Sequence, residues 1–423
     1  MKVLSLRFHR LDGNTASIPR SSAAEVKRVL TRFSVRSLSA YGRLALGLIP
    51  FIFKGMFGNK ALALSVFWLV VVNIMGVIAV NRFNLGLDDA YRWIPVEKYF
   101  QPQSWNIVDI HSRWDSNWYQ DLAKNGYERN ENDTLSNLVF FPLYPLLIKV
   151  TAVFIGGNLI FAGWIASSVF LILSCVLLFR LVERFHQTAN PLFAVFLLLI
   201  FPTAFFLNAV YTESLFLFLS LLTFYFTFEK KYFWAGAVGF VAALTRVTGI
   251  LLFLPLLLHF VLTEGYDFRT LKKALPLALI PLGTTAFFIY HWIYFGSPLV
   301  FFEIESAWGR SFSINYDHFT FLSQASLANF LLDVSYLLFG VCIVGYLLKL
   351  RYYPYAIYMA STIGVAVASG TLMSIGRYIL VLFPIYIVGA SIKSEIMKYV
   401  WILVSTLLLA LNTFLFVNWY WAG

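Results

Sequence analysis

Long apolar runs constrain this chain more than any other feature of its sequence. An α-helix needs about 20 mainly apolar residues to cross a bilayer. Runs of this kind lie at 61–81, 160–182, 190–210, 212–229, 274–295, 325–348, 355–374, 376–392 and 398–419. Of the 423 residues, 60% are hydrophobic and 13% are charged. The sequence therefore predicts an all-α polytopic membrane protein and excludes a water-soluble enzyme, a nucleic-acid-binding module and a disordered chain.

The apolar stretch 232–262 is too long for one helix without a large tilt. It is interrupted by the sequence Thr245-Arg246-Val247-Thr248-Gly249. Glycine and an intramembrane arginine both mark backbone breaks that line a cavity. We therefore predict two short helices that meet at Arg246.

The basic residues are concentrated at the N-terminus. Residues 1–60 hold 11 of the 32 Lys and Arg residues but only two acids, Asp12 and Glu25. Basic segments stay on the cytoplasmic side and bind anionic lipid surfaces. We predict that 1–60 is a basic cytoplasmic arm ending in an interfacial helix, that 61–423 is the integral-membrane domain, and that no nucleic acid binds.

The charge of the loops predicts the topology. With the N-terminus inside, the first span leads outside, where residues 82–137 hold nine acids and six bases. The later Lys and Arg clusters fall inside only if Phe140–Ile155 does not cross. This gives about 11 transmembrane helices, with 82–159 as a long first outer loop that contains interfacial helices.

The first outer loop carries the densest set of chemically active side chains. Asp115 stands between Arg113, Trp114 and Trp118. A carboxylate accepts a proton from a sugar hydroxyl, a guanidinium pairs with phosphate oxygens, and aromatic faces stack on sugar rings. The alternative is an aromatic belt at the membrane surface with solvated loop charges.

Other outer helix ends add charged candidates. Glu213 follows Tyr211 and Thr212 at a tight outer hairpin, although a helix start capped by Thr212 with an acid in its first turn explains the same pattern. Arg246 lies at the apex of the broken pair, with a snorkelling arginine as the alternative.

Two further outer segments carry charge. Arg377 and Tyr378 begin the span 376–392 from outside. The second outer loop holds Glu303, Glu305 and Arg310, for which ordinary solvent exposure is the alternative. By topology, arginines and carboxylates thus converge on one face, an arrangement suited to a phosphate-bearing lipid.

The metal signal is weak. His111 lies near acids but without paired-ligand spacing, which favours a polar loop histidine and leaves a divalent metal open. The two cysteines, Cys175 and Cys342, provide no disulfide framework. No cofactor is predicted with certainty, and no Gly-rich phosphate loop or dinucleotide fingerprint is present.

Five sequence blocks, in order, resemble those of the PIG-V-like mannosyltransferases, a family of GPI-anchor synthesis with bacterial relatives. Their residues are His111 to Tyr119 with Ala123 to Tyr127, the run Phe140 to Pro145, Phe201-Pro202-Thr203 with Tyr211 to Phe216, Ala243 to Gly249, and Gly376-Arg377-Tyr378. One departure is Phe201, where eukaryotic members have asparagine.

The resemblance implies a GT-C-type helical bundle with its active site on the non-cytoplasmic face. It also implies a polyprenyl-phosphate sugar donor, usually of mannose, and an inverting transfer to a lipid or cell-envelope glycan acceptor. The absence of an endoplasmic-reticulum retrieval signal favours a location in a bacterial cytoplasmic membrane.

On this interpretation Asp115 is the general base on the acceptor hydroxyl. The leaving phosphate is neutralised by Arg246 and Arg377, with Arg113 third. Glu213 holds sugar or acceptor hydroxyls, or helps a metal. The predicted substrate-binding residues also include Trp114, Trp118, Tyr144, Tyr211 and Tyr378.

Two other classes of function remain as alternatives. A lipid-linked sugar flippase or transporter would also use an intramembrane arginine at a broken helix. A non-catalytic membrane subunit would not need Asp115 or Glu213. The halves of the sequence show no internal repeat, which favours the enzyme.

Overall fold

The computed structural model describes residues 60–83, 107–129, 135–307, 309–310 and 327–422. Within these residues the regular structure is helical and contains no strand. The basic arm and its interfacial helix fall outside the described residues, apart from Lys60. The α-helices are α1 (Lys60–Arg82), α2 (Ser116–Asn125), α3 (Leu143–Phe154), α4 (Leu159–Phe185), α5 (Pro191–Leu199), α6 (Glu213–Phe228), α7 (Tyr232–Ala243), α8 (Phe253–Glu264), α9 (Phe268–Leu271), α10 (Leu279–Phe295), α11 (Val300–Ala307), α12 (Leu327–Lys349), α13 (Tyr353–Ala368), α14 (Ile375–Leu380), α15 (Pro384–Ala390) and α16 (Glu395–Val417).

Six helical segments among the described residues are long and apolar enough to cross a membrane. They are Lys60–Arg82, Leu159–Phe185, Val247–Glu264, Phe268–Phe295, Leu327–Lys349 and Glu395–Val417. The predicted all-α class is confirmed, and these segments are compatible with a multi-pass membrane protein. The predicted count of about 11 crossing helices is not confirmed.

The difference of five lies in α7, which has only 12 residues, and in four apolar runs that form shorter helices. The run 190–210 contains α5, of nine residues, followed by an irregular segment with Pro202, whose ring removes a helical N–H donor. The run 376–392 is divided into α14 and α15, with Pro384 at the first turn of α15. Helices α6 and α13, from the other two runs, have 16 residues each.

The predicted break at Arg246 is confirmed, and the length of α3 agrees with the prediction that Phe140–Ile155 does not cross. Helix α7 ends at Ala243, and a 3₁₀ segment begins at Val247, so the chain breaks at Arg246 as expected. The run Phe140–Ile155 contains only the 12 residues of α3, too few to cross a bilayer. Its location on the outer face stays a prediction.

Helix α6 is the central helix of the described bundle. Every residue from Glu213 to Thr227 is buried. Near its end, Phe224 packs against Tyr358 and Phe383, with ring centroids 5.4 and 5.1 Å apart. The first residue of this enclosed helix is the acid Glu213, so the fold places a carboxyl group inside the protein.

Small residues allow α7 to approach its neighbours closely. A Cβ atom on Gly236 would lie 1.9 Å from the carbonyl oxygen of Pro276, and one on Gly283 would lie 2.4 Å from that of Phe240. Close approach through glycine is typical of helix packing in membranes. This contact holds the helix that leads to Arg246.

Gly236→Ala is therefore expected to destabilise the protein by about 1–3 kcal/mol, because backbone must move to admit the methyl group. Gly345→Ala is the control, since a Cβ atom on Gly345 meets nothing within 4 Å. The Gly345→Ala variant should be as stable as the unmodified chain or more stable, because alanine is a better helix former than glycine. Thermal unfolding in one detergent measures both, and equal losses would contradict the packing argument.

Candidate functional site

Asp115 is the residue just before α2. Its side chain makes no hydrogen bond to the start of that helix. Instead, its Oδ2 atom accepts a hydrogen bond from Nη1 of Arg377 at 2.7 Å. The backbone N–H of Asp115 donates to the hydroxyl of Tyr211 at 3.2 Å. The main chain is therefore fixed while the carboxyl group faces an arginine from a distant part of the sequence.

Glu213 is fully buried and contacts two arginines. Its Oε1 atom accepts from Nε of Arg377 at 2.8 Å and from Nη1 of Arg246 at 3.1 Å. Thr212 makes no side-chain capping bond at the start of α6. The helix does start after Thr212 with Glu213 in its first turn, as the alternative expects, but the capping bond is absent and Glu213 belongs to an ion-pair network.

Asp115, Glu213, Arg246 and Arg377 form one continuous set of ion pairs, which we call the charge cluster. Its two carboxylates and two guanidinium groups balance formally. The side chains of Glu213 and Arg377 are 0% and 5% exposed, whereas those of Arg246 and Asp115 are 12% and 21% exposed. The cluster thus has a buried centre and a more accessible edge.

Aromatic rings support both arginines. The guanidinium of Arg377 lies 4.6 Å from the ring centroid of Tyr211 and 5.0 Å from that of Phe206. The guanidinium of Arg246 lies 5.2 Å from the ring centroid of Tyr378. Cation–π contacts of this kind stabilise a charge that has lost its water.

A second ion pair joins the accessible edge through Tyr378. Arg310 donates from Nη1 to the Tyr378 hydroxyl at 3.1 Å, and its Nε lies 3.6 Å from Oε2 of Glu305. Burial raises the pKa of the Glu305 carboxyl, Arg310 opposes that shift, and the charge of Asp115 adds to it. The solvent-exposed interpretation is therefore wrong for Glu305 and Arg310, although Glu303 is exposed.

Arg113 is not brought into the charge cluster. It is buried, and it donates from Nε to the carbonyl oxygen of Val417 at 2.9 Å and from Nη1 to that of Ser112 at 2.8 Å. Its guanidinium lies 4.8 Å from the ring of Trp419. Arg113 thus ties the loop before α2 to the end of α16.

Three predicted aromatic residues serve in packing. Trp114 packs edge-on against Trp421, with ring centroids 5.7 Å apart, and Trp118 stacks on Phe140 at 5.9 Å. Tyr144 is fully buried, and its hydroxyl contacts the Ser167 hydroxyl at 2.7 Å. These contacts are with other side chains of the protein and not with the charge cluster.

Sequence reasoning did not select Tyr119, although it lies inside the Asp115 block. Its buried ring packs edge-on against Tyr144 and Tyr211, with centroids 5.4 and 6.1 Å apart. Burial raises the pKa of the Tyr119 hydroxyl, and the charges of Glu213 and Asp115 raise it further. The sequence feature that could have indicated Tyr119 is its position next to Trp118 in a segment rich in aromatic residues.

Thr203 was also missed, and it positions Arg377. Its hydroxyl donates to the carbonyl oxygen of Gly376 at 3.0 Å. A Cβ atom on Gly376 would lie 3.0 Å from the Tyr336 ring and 3.1 Å from Cγ2 of Thr203. The irregular segment after α5 therefore holds the residue next to Arg377 at close range.

His111 is buried rather than a polar loop histidine. Its ring stacks on Trp164, with centroids 4.6 Å apart. Burial, with the charge of Arg113 adding to it, lowers the pKa of His111 to about 3. Among the described residues, no group of three or more His, Cys, Asp or Glu side chains is arranged to hold a metal ion.

The low pKa of His111 predicts acid sensitivity. The unfolded chain binds a proton at about pH 6.5 and the folded chain only near pH 3, so stability is full above pH 6.5 and is lost as the pH falls toward 3. Between these two pH values, this one group should change the free energy of unfolding by about 1.4 kcal/mol per pH unit. His111→Phe keeps a ring on Trp164, so its unfolding curves should lose that slope. Identical pH profiles would contradict the assignment.

Comparison with models of protein families gives no match, and comparison with curated protein sequences gives none either. The family resemblance of the five sequence blocks thus stays a prediction.

Proposed function

We propose that this chain is a membrane glycosyltransferase that moves a sugar from a polyprenyl-phosphate donor to a lipid or cell-envelope acceptor. The resemblance makes mannose the first sugar to test and the non-cytoplasmic face the site of reaction. The observation that carries the proposal is Asp115, the more exposed of the two carboxylates of the charge cluster, whose side chain is held by Arg377 and whose backbone N–H donates to Tyr211.

The reaction is an inverting displacement. The oxygen of the acceptor hydroxyl attacks the anomeric carbon while its proton passes to the carboxylate of Asp115. The bond between the anomeric carbon and the phosphate oxygen breaks, and prenyl phosphate leaves with the electron pair. One base is enough for this step, because a leaving phosphate needs charge neutralisation more than a proton.

The geometry supports a revised division of roles among the charged residues. Arg377 binds both carboxylates and is 5% exposed, so we assign it and Glu213 to positioning rather than to contact with substrate. Arg246 lies over the ring of Tyr378, and Arg310 donates to its hydroxyl. Their side chains are 12% and 19% exposed. These two arginines are the better candidates for contact with the leaving phosphate.

The test is sugar transfer by the full chain in liposomes. Radiolabelled polyprenyl-phosphate-mannose is supplied with a host lipid extract, and parallel reactions use glucose and arabinose donors. Label that moves to an extractable acceptor supports the proposal and names the acceptor class. If no donor gives transfer but the labelled lipid crosses the bilayer faster, the transporter alternative replaces the enzyme.

A further inference from the structure

A cavity of about 340 Å³ lies at the opposite end of α6 from the charge cluster. Phe228, the last residue of α6, lines this cavity, whereas Glu213 is the first residue of the same helix. A helix of 16 residues is about 22 Å long between its first and last residues, so the two sites are separate. None of the proposed chemistry uses this cavity.

Aromatic and imidazole rings form the walls of the cavity. The rings of His259 and Phe228 have centroids 4.7 Å apart, and those of Tyr355 and Phe228 are 5.9 Å apart. His186 shares a hydrogen bond of 2.8 Å with the hydroxyl of Tyr355. These walls are mostly apolar but contain two imidazoles that can donate hydrogen bonds.

The mouth of the cavity is basic. The Lys230 side chain is 65% exposed, and its ammonium lies 2.6 Å from Oε1 of Glu264. An ammonium has three donors, so this ion pair leaves capacity for another acceptor. Lys231, Arg184 and Arg351 stand next in sequence to residues that line the cavity. Arg184 pairs with Glu229, but with Lys230 these four basic residues still outnumber the two acids, Glu229 and Glu264. The mouth therefore favours an anion.

Exposed apolar side chains lie within two residues in sequence of the residues that line the cavity. Leu262, next to the lining residue Thr263, is 57% exposed, and Tyr352, itself a lining residue, is 40% exposed. Leu350 is also 40% exposed. A water-soluble anion needs none of these contacts, whereas the acyl chains of a lipid would cover them.

We propose that this cavity binds the headgroup of an anionic phospholipid. The Lys230 ammonium and the His259 imidazole donate to the phosphate, and the aromatic walls contact the glycerol and the upper acyl chains. Basic residues near a membrane surface bind anionic lipids in this way. The inference is independent of the proposed sugar transfer, because it uses other residues at the other end of the bundle.

The test is photolabelling of the full chain in phosphatidylcholine nanodiscs that contain a small fraction of photoactivatable phosphatidylglycerol. We expect labelled peptides from the start of α13 and from α8. Unlabelled phosphatidylglycerol should compete, whereas added phosphatidylcholine and soluble glycerol phosphate should not. Competition by phosphatidylcholine would show an ordinary annular lipid, and competition by glycerol phosphate would show a soluble-phosphate site; either result overturns the proposal.

Three variants identify the contact. Lys230→Gln should lower specific labelling about tenfold, the usual effect of losing one charge-assisted hydrogen bond. Lys393→Gln, an exposed lysine elsewhere in the chain, is the matched control and should label normally. Glu264→Gln frees the ammonium and should keep or raise labelling. Equal loss in Lys230→Gln and Glu264→Gln would show that their ion pair is only structural, which contradicts the proposal.

Discussion

Asp115→Asn is expected to lower the rate of sugar transfer about 10²- to 10⁴-fold, the usual contribution of a general base. The amide keeps the size of the side chain but cannot accept the proton of the acceptor hydroxyl. Arg377 keeps its ion pair with Glu213 in this variant, and the lost charge is at the more exposed edge of the charge cluster, where water can replace it. The fold should therefore survive, and single-turnover transfer from the radiolabelled polyprenyl donor measures the loss.

Glu128→Gln is the matched control for Asp115→Asn. Glu128 is an exposed acid in the segment that follows α2, and losing its charge should leave transfer unchanged. A thermal unfolding midpoint close to that of the unmodified chain shows that Asp115→Asn is folded. Normal transfer by a folded Asp115→Asn variant would remove Asp115 from the mechanism.

We propose that the four residues of the charge cluster both stabilise the fold and prepare the site for reaction. Burying charges is tolerated when each one is paired and hydrogen-bonded. Glu213 and Arg377 meet that condition at the centre and so fix the position of Asp115 at the edge. A base held in this way loses little orientational freedom on reaction, which is how preorganisation contributes to catalysis.

The sequence predicted the helical class and the break at Arg246, because an apolar run and a glycine each influence the backbone at their own position in the chain. It did not predict that the run 190–210 stops being helical after α5, or that α6, which lies within one residue of its predicted bounds, is enclosed by the protein. An apolar run has the same composition whether it faces lipid or lies inside the protein, and α6 is buried from Glu213 to Thr227. Hydropathy therefore reports burial, and the number of crossings does not follow from it.

The topology predicted from the sequence places Asp115, Glu213, Arg246 and Arg377 on the same face of the membrane. It did not predict which acid binds which arginine, since Arg377 and Asp115 are 262 residues apart. The contact of Arg113 spans 304 residues and ends on a carbonyl oxygen, which carries no side-chain signal. Such partners depend on packing among all the helices.

Glu213→Gln is expected to cause the largest loss of stability of any single change considered. The carboxylate is fully buried and accepts from both Arg377 and Arg246. Removing its charge leaves two guanidinium groups with only Asp115 as counter-ion. Breaking one side of a buried ion pair costs about 3–5 kcal/mol, so the thermal unfolding midpoint should fall sharply.

The matched control is Glu229→Gln, which removes an acid from the more exposed ion pair with Arg184. Its effect should be much smaller, because solvent screens such pairs and can replace the lost partner. Adding Arg377→Gln to Glu213→Gln restores charge balance between Asp115 and Arg246, so the double variant should lose less than the sum of the single losses. Additive losses would mean that Glu213 and Arg377 are not coupled, and the charge cluster would not explain the stability of this site.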